Sequence, residues 1–358
     1  MTRGEPGERK LTIHDIAKRA GVSVATVSRV INRQPGVGAE TRARLEQLFV
    51  ETGFSASLSA QQLATGKSRL VGVVFPVEIS QIVLHPVYPA LLGAVGDAAA
   101  ERGHAVLLAT TSGHLTQTVD VLTRHGVDGV ILPAAGPDDP LLPALAALRT
   151  PTVLIGHRSE EPLFRWVDSD HDVAAYRLTR HLIEQGRRRL VHLGGPAEVS
   201  ACVLRALGFG QAVEEAGDAI AWSRTEFIRF DSAQAAARAR SILTDPAATP
   251  DAIVCGSDHI AAGVLRAAQE LGIAVPAALA VTGFDDLELA SHTTPPLTSV
   301  RMPLKELGAA AVSLLLDYPV QVSPHSVLLE TQTLYRGSTE ASPRRSQSSD
   351  AKKTGKSE

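Results

Sequence analysis

Between Leu11 and Asn32 the chain reads LTIHDIAKRAGVSVATVSRVIN, and the spacing within that stretch permits few folds. Leu11, Ile13, Ile16, Ala17 and Ala20 share one face of a short helix that starts near Thr12, a good N-cap residue. Gly21 interrupts the period where a tight turn needs positive φ. Ser23 is placed to cap a second helix whose inner face is Val27, Val30 and Ile31. The small Ala17, the turning Gly21 and the branched Val27 are set four and six residues apart, the spacing of a helix-turn-helix. A third helix is predicted over 40–52, with Leu45, Leu48 and Phe49 closing the core.

The outer face of the second helix presents Val24, Ala25, Ser28, Arg29 and Asn32. Arg29 can bond guanine O6 and N7 or a phosphate, and Ser28 and Asn32 can reach base edges or backbone oxygens. Val24 and Ala25 can touch a thymine methyl. The plainer alternative is a helical hairpin with no nucleic-acid role. Charge bears on the choice: residues 1–69 hold eleven Lys/Arg against six Asp/Glu, and residues 70–337 hold nineteen against twenty-nine. A basic head on an acidic body directs only the head at a polyanion. After it, the Ser/Ala-rich 55–60 reads as a linker, and 59–64 as one or two helical turns ending near Leu63. An apolar side chain there can wedge into a minor groove or pack on its own protein.

From Leu70 onward short apolar runs alternate with amphipathic helices. Strands are predicted at 70–75, 105–109, 129–133, 152–156, 190–195, 227–230, 252–256 and 280–284, with a long helix near 170–186 between the two sets. Such alternation makes parallel sheets from βαβ units, and two sets make two similar lobes. Sites in these folds lie beyond the carboxyl ends of the strands. Asp285, Ser257, Asp258, Arg205, Phe230 and Tyr88 fall at or near such ends. A carboxylate and a guanidinium beside aromatic rings suit a polyhydroxylated ligand. Each has a structural alternative: Asp285 and Asp258 as helix caps, Arg205 as partner of a structural carboxylate, Phe230 and Tyr88 as core.

Other classes fit poorly. The 358 residues favour two or three domains, and two cysteines, Cys202 and Cys255, supply no disulfide framework, which suits a reducing cytoplasm. The first residues lack a signal-peptide core and no 18-residue apolar run occurs, so neither export nor a membrane is expected. No G-x-S-x-G, H-E-x-x-H or G-x-x-x-x-G-K-[ST] pattern is present, GSDH at 256–259 does not form a triad, and GFGQAV at 208–213 falls inside a predicted helix. No catalytic residue, metal site or cofactor is expected. A free-standing transport protein would fit the body alone, yet it predicts an export signal and no DNA-binding head.

The head motif, AQQLA, HLIEQGRRRLVHLGGP, RALGF, SDHIAAGVLRAAQELG, VTGFDD, PPLTSVR and YRGST together resemble the LacI/GalR family of repressors from about residue 10 to 337. The resemblance implies a small all-α helix-turn-helix head plus an α/β effector domain of two Rossmann-like lobes, periplasmic-binding-protein-like. It implies a homodimer on double-stranded operator DNA and a small-molecule effector, a sugar or sugar derivative. It puts Val24 and Ala25 where the operator is chosen, Thr12, Thr26, Ser28, Arg29 and Asn32 on phosphate or base contacts, and Leu63 in the minor groove. Tyr88, Arg205, Phe230, Ser257 and Asp285 fall on effector-contact positions. Three chain crossings between lobes are implied, the residues near 297–325 returning to the first. Expected boundaries are 1–9 disordered, 10–56 head, 57–69 hinge and linker, 70–337 effector and dimerisation domain, and 338–358 disordered tail without the leucine heptads of tetramers. Ala56-Ser57 departs from the usual Pro-Asn, Gly38 from a Ser cap, Gly156 from an Asp, and Asp170-His171 from Asp-Asn.

Overall fold

The computed structural model describes residues 11–31, 34–54, 67–84, 87–111, 114–136, 138–156, 158, 164–318 and 326–340. The expectations for Asn32, Leu63, Ala56-Ser57 and the rest of the hinge stretch to 66, His157, residues 1–9 and residues 341–358 lie outside the described residues. Two compact units are present, Met1–Leu70 with Val121–Asp128, and Val71–Asp120 with Gly129–Glu358.

In the first unit, α1 (Ile13–Ala20), α2 (Val24–Ile31) and α3 (Ala39–Thr52) follow the predicted pattern. Thr12 caps α1 in a reciprocal box: its hydroxyl accepts from the Asp15 N–H, and its own N–H donates to the Asp15 carboxylate at 2.8 Å. Gly21 ends the helix at φ 64, and no heavy atom lies within 4 Å of the Cβ it lacks, so backbone conformation rather than space demands glycine here. The Ser23 hydroxyl accepts from the Thr26 N–H at 3.1 Å. Ile16, Ala17, Val27, Val30 and Leu45 form the buried core, with Leu48 and Phe49 packed at its edge.

After the head, in chain order, the strands are β1 (Leu70–Phe75), β2 (Ala105–Thr110), β3 (Gly129–Pro133), β4 (Thr152–Ile155), β5 (Arg165–Ser169), β6 (Arg189–Gly194), β7 (Trp222–Phe227), β8 (Ala252–Cys255), β9 (Ala280–Asp285), β10 (Thr298–Arg301), β11 (Ser326–Leu329) and β12 (Gln332–Leu334). They form two six-stranded sheets, ordered β11-β5-β4-β3-β1-β2 and β12-β10-β9-β8-β6-β7. Both repeat one doubly wound topology, and β12 runs antiparallel to its neighbour β10. The inner strands β3, β4, β8 and β9 are buried throughout, as parallel strands covered on both faces must be. Between them run α4 (Ile79–Leu84), α5 (Val87–Glu101), α6 (Leu115–His125), α7 (Leu141–Leu148), α8 (His171–Glu184), α9 (Ser200–Ala216), α10 (Ser232–Leu243), α11 (Asp258–Glu270), α12 (Glu288–His292) and α13 (Leu304–Leu316).

Three expectations need correction. The strand expected at 227–230 is β7, which ends at Phe227; WSRTEF alternates half-buried and exposed residues on a sheet edge, so an apolar-run search missed it and took FIRF instead. The return to the first lobe begins after Arg301 rather than near 297, because β10 still pairs with β9. The chain then runs through α13, adds β11 to the first sheet and comes back as β12, making three crossings with the one after β5. Finally, Ser338 and Thr339 belong to the body, not to a tail: both are buried, the Ser338 hydroxyl donates to the Val281 carbonyl at 2.6 Å, and the Thr339 hydroxyl meets that of Thr298 at 2.7 Å.

Candidate functional site

On the head, the α2 residues expected to face DNA divide by exposure. Ala25 and Arg29 are exposed, whereas Val24, Thr26 and Ser28 are half-buried, and Val24 also packs against the head core. Thr26 shares a hydroxyl contact with Ser23 at 2.9 Å, and the Thr12 hydroxyl donates to Asp15 at 2.7 Å, so both threonines also hold helix starts. Arg29 is the long cation on this exposed face. Arg44 donates to the Ala20 carbonyl at 3.0 Å and ties α3 to the end of α1.

In the body, a cavity opens beyond the carboxyl ends of the strands. Ala134 after β3, Gly156 after β4 and Asp285 at the end of β9 all turn through positive φ, at 57, 78 and 102. For the two non-glycine residues that is uncommon backbone, the kind retained where a site fixes geometry. Tyr88 from α5, Arg205 and Cys202 from α9, and Phe230 from the loop after β7 complete much of the wall. The Phe230 ring fits because residue 195 is glycine; a Cβ there would lie 2.4 Å from it. Likewise Gly208 lets α9 lie against α8, where a Cβ would come 1.9 Å from the Asp172 carbonyl.

A line of buried polar groups crosses this cavity from one sheet to the other. Arg205 donates to Asp285 at 3.3 Å and to the Gly256 carbonyl, and its guanidinium carbon sits 3.7 Å from the centre of the Phe284 ring. Its Nε donates to His171 Nδ1 at 3.4 Å, which leaves the proton of a neutral imidazole on Nε2, 3.2 Å from Asp168. Asp168 in turn takes Arg158 at 2.9 Å, and Arg158 also reaches Asp172 at 3.0 Å. Burial pushes the Asp285 carboxyl up to about 6 against the pull of Arg205. Burial keeps the His171 imidazole below its usual range despite Asp168 beside it. For Asp168 burial works the other way, yet the imidazole of His171 and the Arg158 guanidinium hold the carboxyl below the ordinary carboxylate value. Tyr88 is raised to about 12, first by burial and then by Cys202 and Asp285.

Of the five expected effector contacts, Tyr88, Arg205, Phe230 and Asp285 meet at this cavity and Ser257 does not line it. Ser257 is the cap of α11, its hydroxyl accepting from the Ile260 N–H at 3.3 Å. The capping role expected of Asp258 is therefore corrected: its carboxylate instead accepts from Ser299 at 2.6 Å and from the Leu287 N–H at 2.7 Å, pinning the loop after β9. Asp285 is no helix cap either; α12 begins after Leu287 without a side-chain cap. Sequence reasoning missed Asp168, next to last in a strand too polar to be noticed, and saw His171 only as a departure. Among the described residues no group of three His, Cys, Asp or Glu is placed to hold a metal, and no helix is long and apolar enough to cross a membrane.

Known proteins share both parts. Residues 12–57 match the bacterial regulatory proteins of the lacI family, and residues 179–339 a periplasmic binding protein-like domain. The HTH-type transcriptional regulator CelR of Thermobifida fusca is 33% identical over 339 residues, covering 92% of this chain and 98% of that protein. The chain belongs to the LacI family. It is a transcriptional regulator with a DNA-binding helix-turn-helix head and a two-lobed body. Solved LacI-family structures agree: a CelR–cellobiose complex has a TM-score of 0.70 at 30% identity, covering 92% of this chain and 99% of its own. The Lac repressor dimer bound to operator and the anti-inducer ONPF has a TM-score of 0.82 at 26% identity, covering 93% and 100%.

Proposed function

We propose that this LacI-family regulator is a cytoplasmic homodimeric repressor whose grip on a palindromic operator is set by a small molecule, a sugar or sugar derivative, held in the strand-end cavity. The observation that carries the reading is the polar line Asp285–Arg205–His171–Asp168, which joins the two sheets across the cavity. A ligand that enters between these groups replaces their direct contacts across the cavity with its own, and so biases the angle between the lobes. In this reading Tyr88, Phe230, Arg205 and Asp285 contact the effector, and Arg29, Ala25, Val24, Ser28, Thr26 and Thr12 contact the operator, with Asn32 and Leu63 assigned by sequence resemblance. A sugar is favoured by the cellobiose bound in the CelR complex. The body acts by binding rather than by catalysis, as in the regulators it resembles. Domain limits follow the sequence reading, with the body extended to Glu340.

The test begins with selection of duplexes from a random library by the purified chain. A palindrome with half-sites one helical turn apart, roughly 10 base pairs, is expected. Operator affinity is then titrated by fluorescence anisotropy against a sugar panel. A coupling of about 1–3 kcal/mol between operator and one sugar is expected, of either sign. Operator affinity indifferent to every small molecule that stabilises the protein overturns the switch.

A further inference from the structure

We infer, building on the effector reading above, that Asp128 is a positioning residue through which occupancy of the cavity reaches the DNA-binding head, although it lines no part of the cavity itself. The chain coming from the head arrives at residues 67–69, which lie outside any strand, just before β1. Asp128 clasps them. Its Oδ1 accepts from the Ser68 N–H at 2.8 Å and from the Ser68 hydroxyl at 3.1 Å, and its Oδ2 accepts from the Arg69 N–H at 3.0 Å. The Asp128 N–H in turn donates to the Leu70 carbonyl at 2.8 Å, and the Ser68 hydroxyl accepts from the Leu70 N–H at 3.1 Å. Hydrogen bonds to a carboxylate are among the stronger ones in a protein. Ser68 is buried, and Arg69 is kept at φ 56, backbone that a non-glycine residue holds where its surroundings fix it.

Direction is what the clasp adds to the covalent chain. Without it the backbone at 68 and 69 would swivel about Leu70, and a shift of the sheet would be lost there. With it the chain leaves along a line fixed to the amino ends of β1 and β3. These two strands are neighbours, with Val71 opposite Gly129, and both are buried along nearly their whole length. Their carboxyl ends reach the cavity: Pro133 and Ala134 line it, and the Phe75 ring lies 5.1 Å from that of Tyr88, a wall residue. From Asp128 to Pro133 is roughly 16 Å of extended chain. A helix makes the same journey. Leu304 and Leu307, early in α13, line the cavity, and Leu315 near its end rests on Gly129, where a Cβ would lie 2.6 Å from the leucine side chain. A close-packed interior compresses little and transmits strain. A displacement at the cavity ends of these three elements therefore arrives beside Asp128, and the clasp turns it into a change in the heading of the chain toward the head.

The test compares wild type, Asp128→Ala and Ser68→Ala, each as the full-length protein on the selected operator. The probes are the sugar panel and a protein-free small-molecule extract of the source cells. Thermal shift reports binding of the probe, and anisotropy reports its effect on operator affinity. Wild-type affinity is expected to move by roughly 5- to 150-fold. In Asp128→Ala the probe is expected to raise the melting temperature as it does in wild type, while the change in operator affinity shrinks by roughly 2- to 30-fold. Ser68→Ala keeps both N–H bonds to the carboxylate and is expected to fall between the two. A full operator response in a folded Asp128→Ala overturns the inference and leaves the effector reading intact, because a merely structural carboxylate lowers the melting temperature without touching the response. Loss of the probe's thermal shift in that variant overturns it as well, since Asp128 would then act on the cavity itself. If Asp128→Ala does not fold, Ser68→Ala decides, and a response equal to that of wild type overturns the clasp. Wild-type operator affinity unmoved by panel and extract alike overturns the effector reading, and this inference with it.

Discussion

The head and the body solve opposite problems with polar groups. On α2 the long cation Arg29 stands exposed, beside Ala25, on an element only eight residues long. In the cavity Arg205 is 6% exposed and is committed on every side, to Asp285, to a carbonyl, to His171 and to the face of Phe284. A surface that reads DNA keeps its donors solvated until the duplex supplies partners, so losing one donor costs binding and little stability. A cavity that senses a small molecule holds its charges desolvated from the outset, so losing one partner strands the other. The same residue type therefore carries different consequences in the two places.

The sharpest way to break that contrast is Arg205→Ala. Removing one member of a buried pair leaves Asp285 with its largest neighbour gone, and a stability loss of about 3–5 kcal/mol is expected. Denaturant unfolding of the body reports it. A loss below about 1 kcal/mol would mean that water already screens the pair and that the cavity behaves like a surface.

Acidity tests the same pair from the carboxylate side. Because burial sets the folded Asp285 value at about 6, above the ordinary carboxylate value of the unfolded chain, this group favours the fold most at low pH. That contribution is lost as pH rises from about 4 through about 6. The expected size is about 3 kcal/mol, from roughly two pK units. The measurement is a difference: Asp285→Asn lacks the titration, so its stability relative to wild type should climb across that window. A flat difference would place Asp285 in a solvated setting.

On the head, Arg29→Ala is expected to weaken operator binding by about 1–3 kcal/mol and to leave the unfolding midpoint nearly unchanged. Anisotropy at fixed salt measures the first and circular dichroism the second. If the midpoint falls as much as the affinity, Arg29 is a structural residue and the contrast with Arg205 fails.

How far each region could be read in advance follows from the same physics. The head was legible almost residue by residue, since Thr12, Gly21 and Ser23 act on neighbours within a few positions and the core repeats every three or four. The inner strands were legible because burial on both faces makes them wholly apolar. Polar strands were not: β7 alternates exposed and half-buried residues at a sheet edge, and β5, inside its sheet, buries the polar Arg165, Asp168 and Ser169. The cavity was legible as a set of strand ends but not as a network, because Asp168 and Asp285 meet through Arg205 and His171 across more than a hundred residues of chain. Nothing local in RWVDSDH announces that partnership. The Ser257 and Asp258 roles were exchanged for a related reason: either side chain suits a cap, and only the approach of Leu287 and Ser299 draws Asp258 away.

Gly38 offers the finest test of how local the head is. It stands at the N-cap of α3 with φ −59 and ψ 148, extended backbone that serine adopts readily, and no side chain satisfies the first N–H groups there. A Cβ at this position meets nothing within 4 Å. Gly38→Ser adds a hydroxyl that can accept from the first turn, yet glycine leaves those N–H groups open to water, so the gain is only a few tenths of a kcal/mol. Thermal unfolding of the head should shift upward by an amount just resolvable in replicate scans, with operator affinity unchanged. A gain above about 1 kcal/mol would mean that those N–H groups are shielded from water, and the head would then share the desolvated character of the cavity.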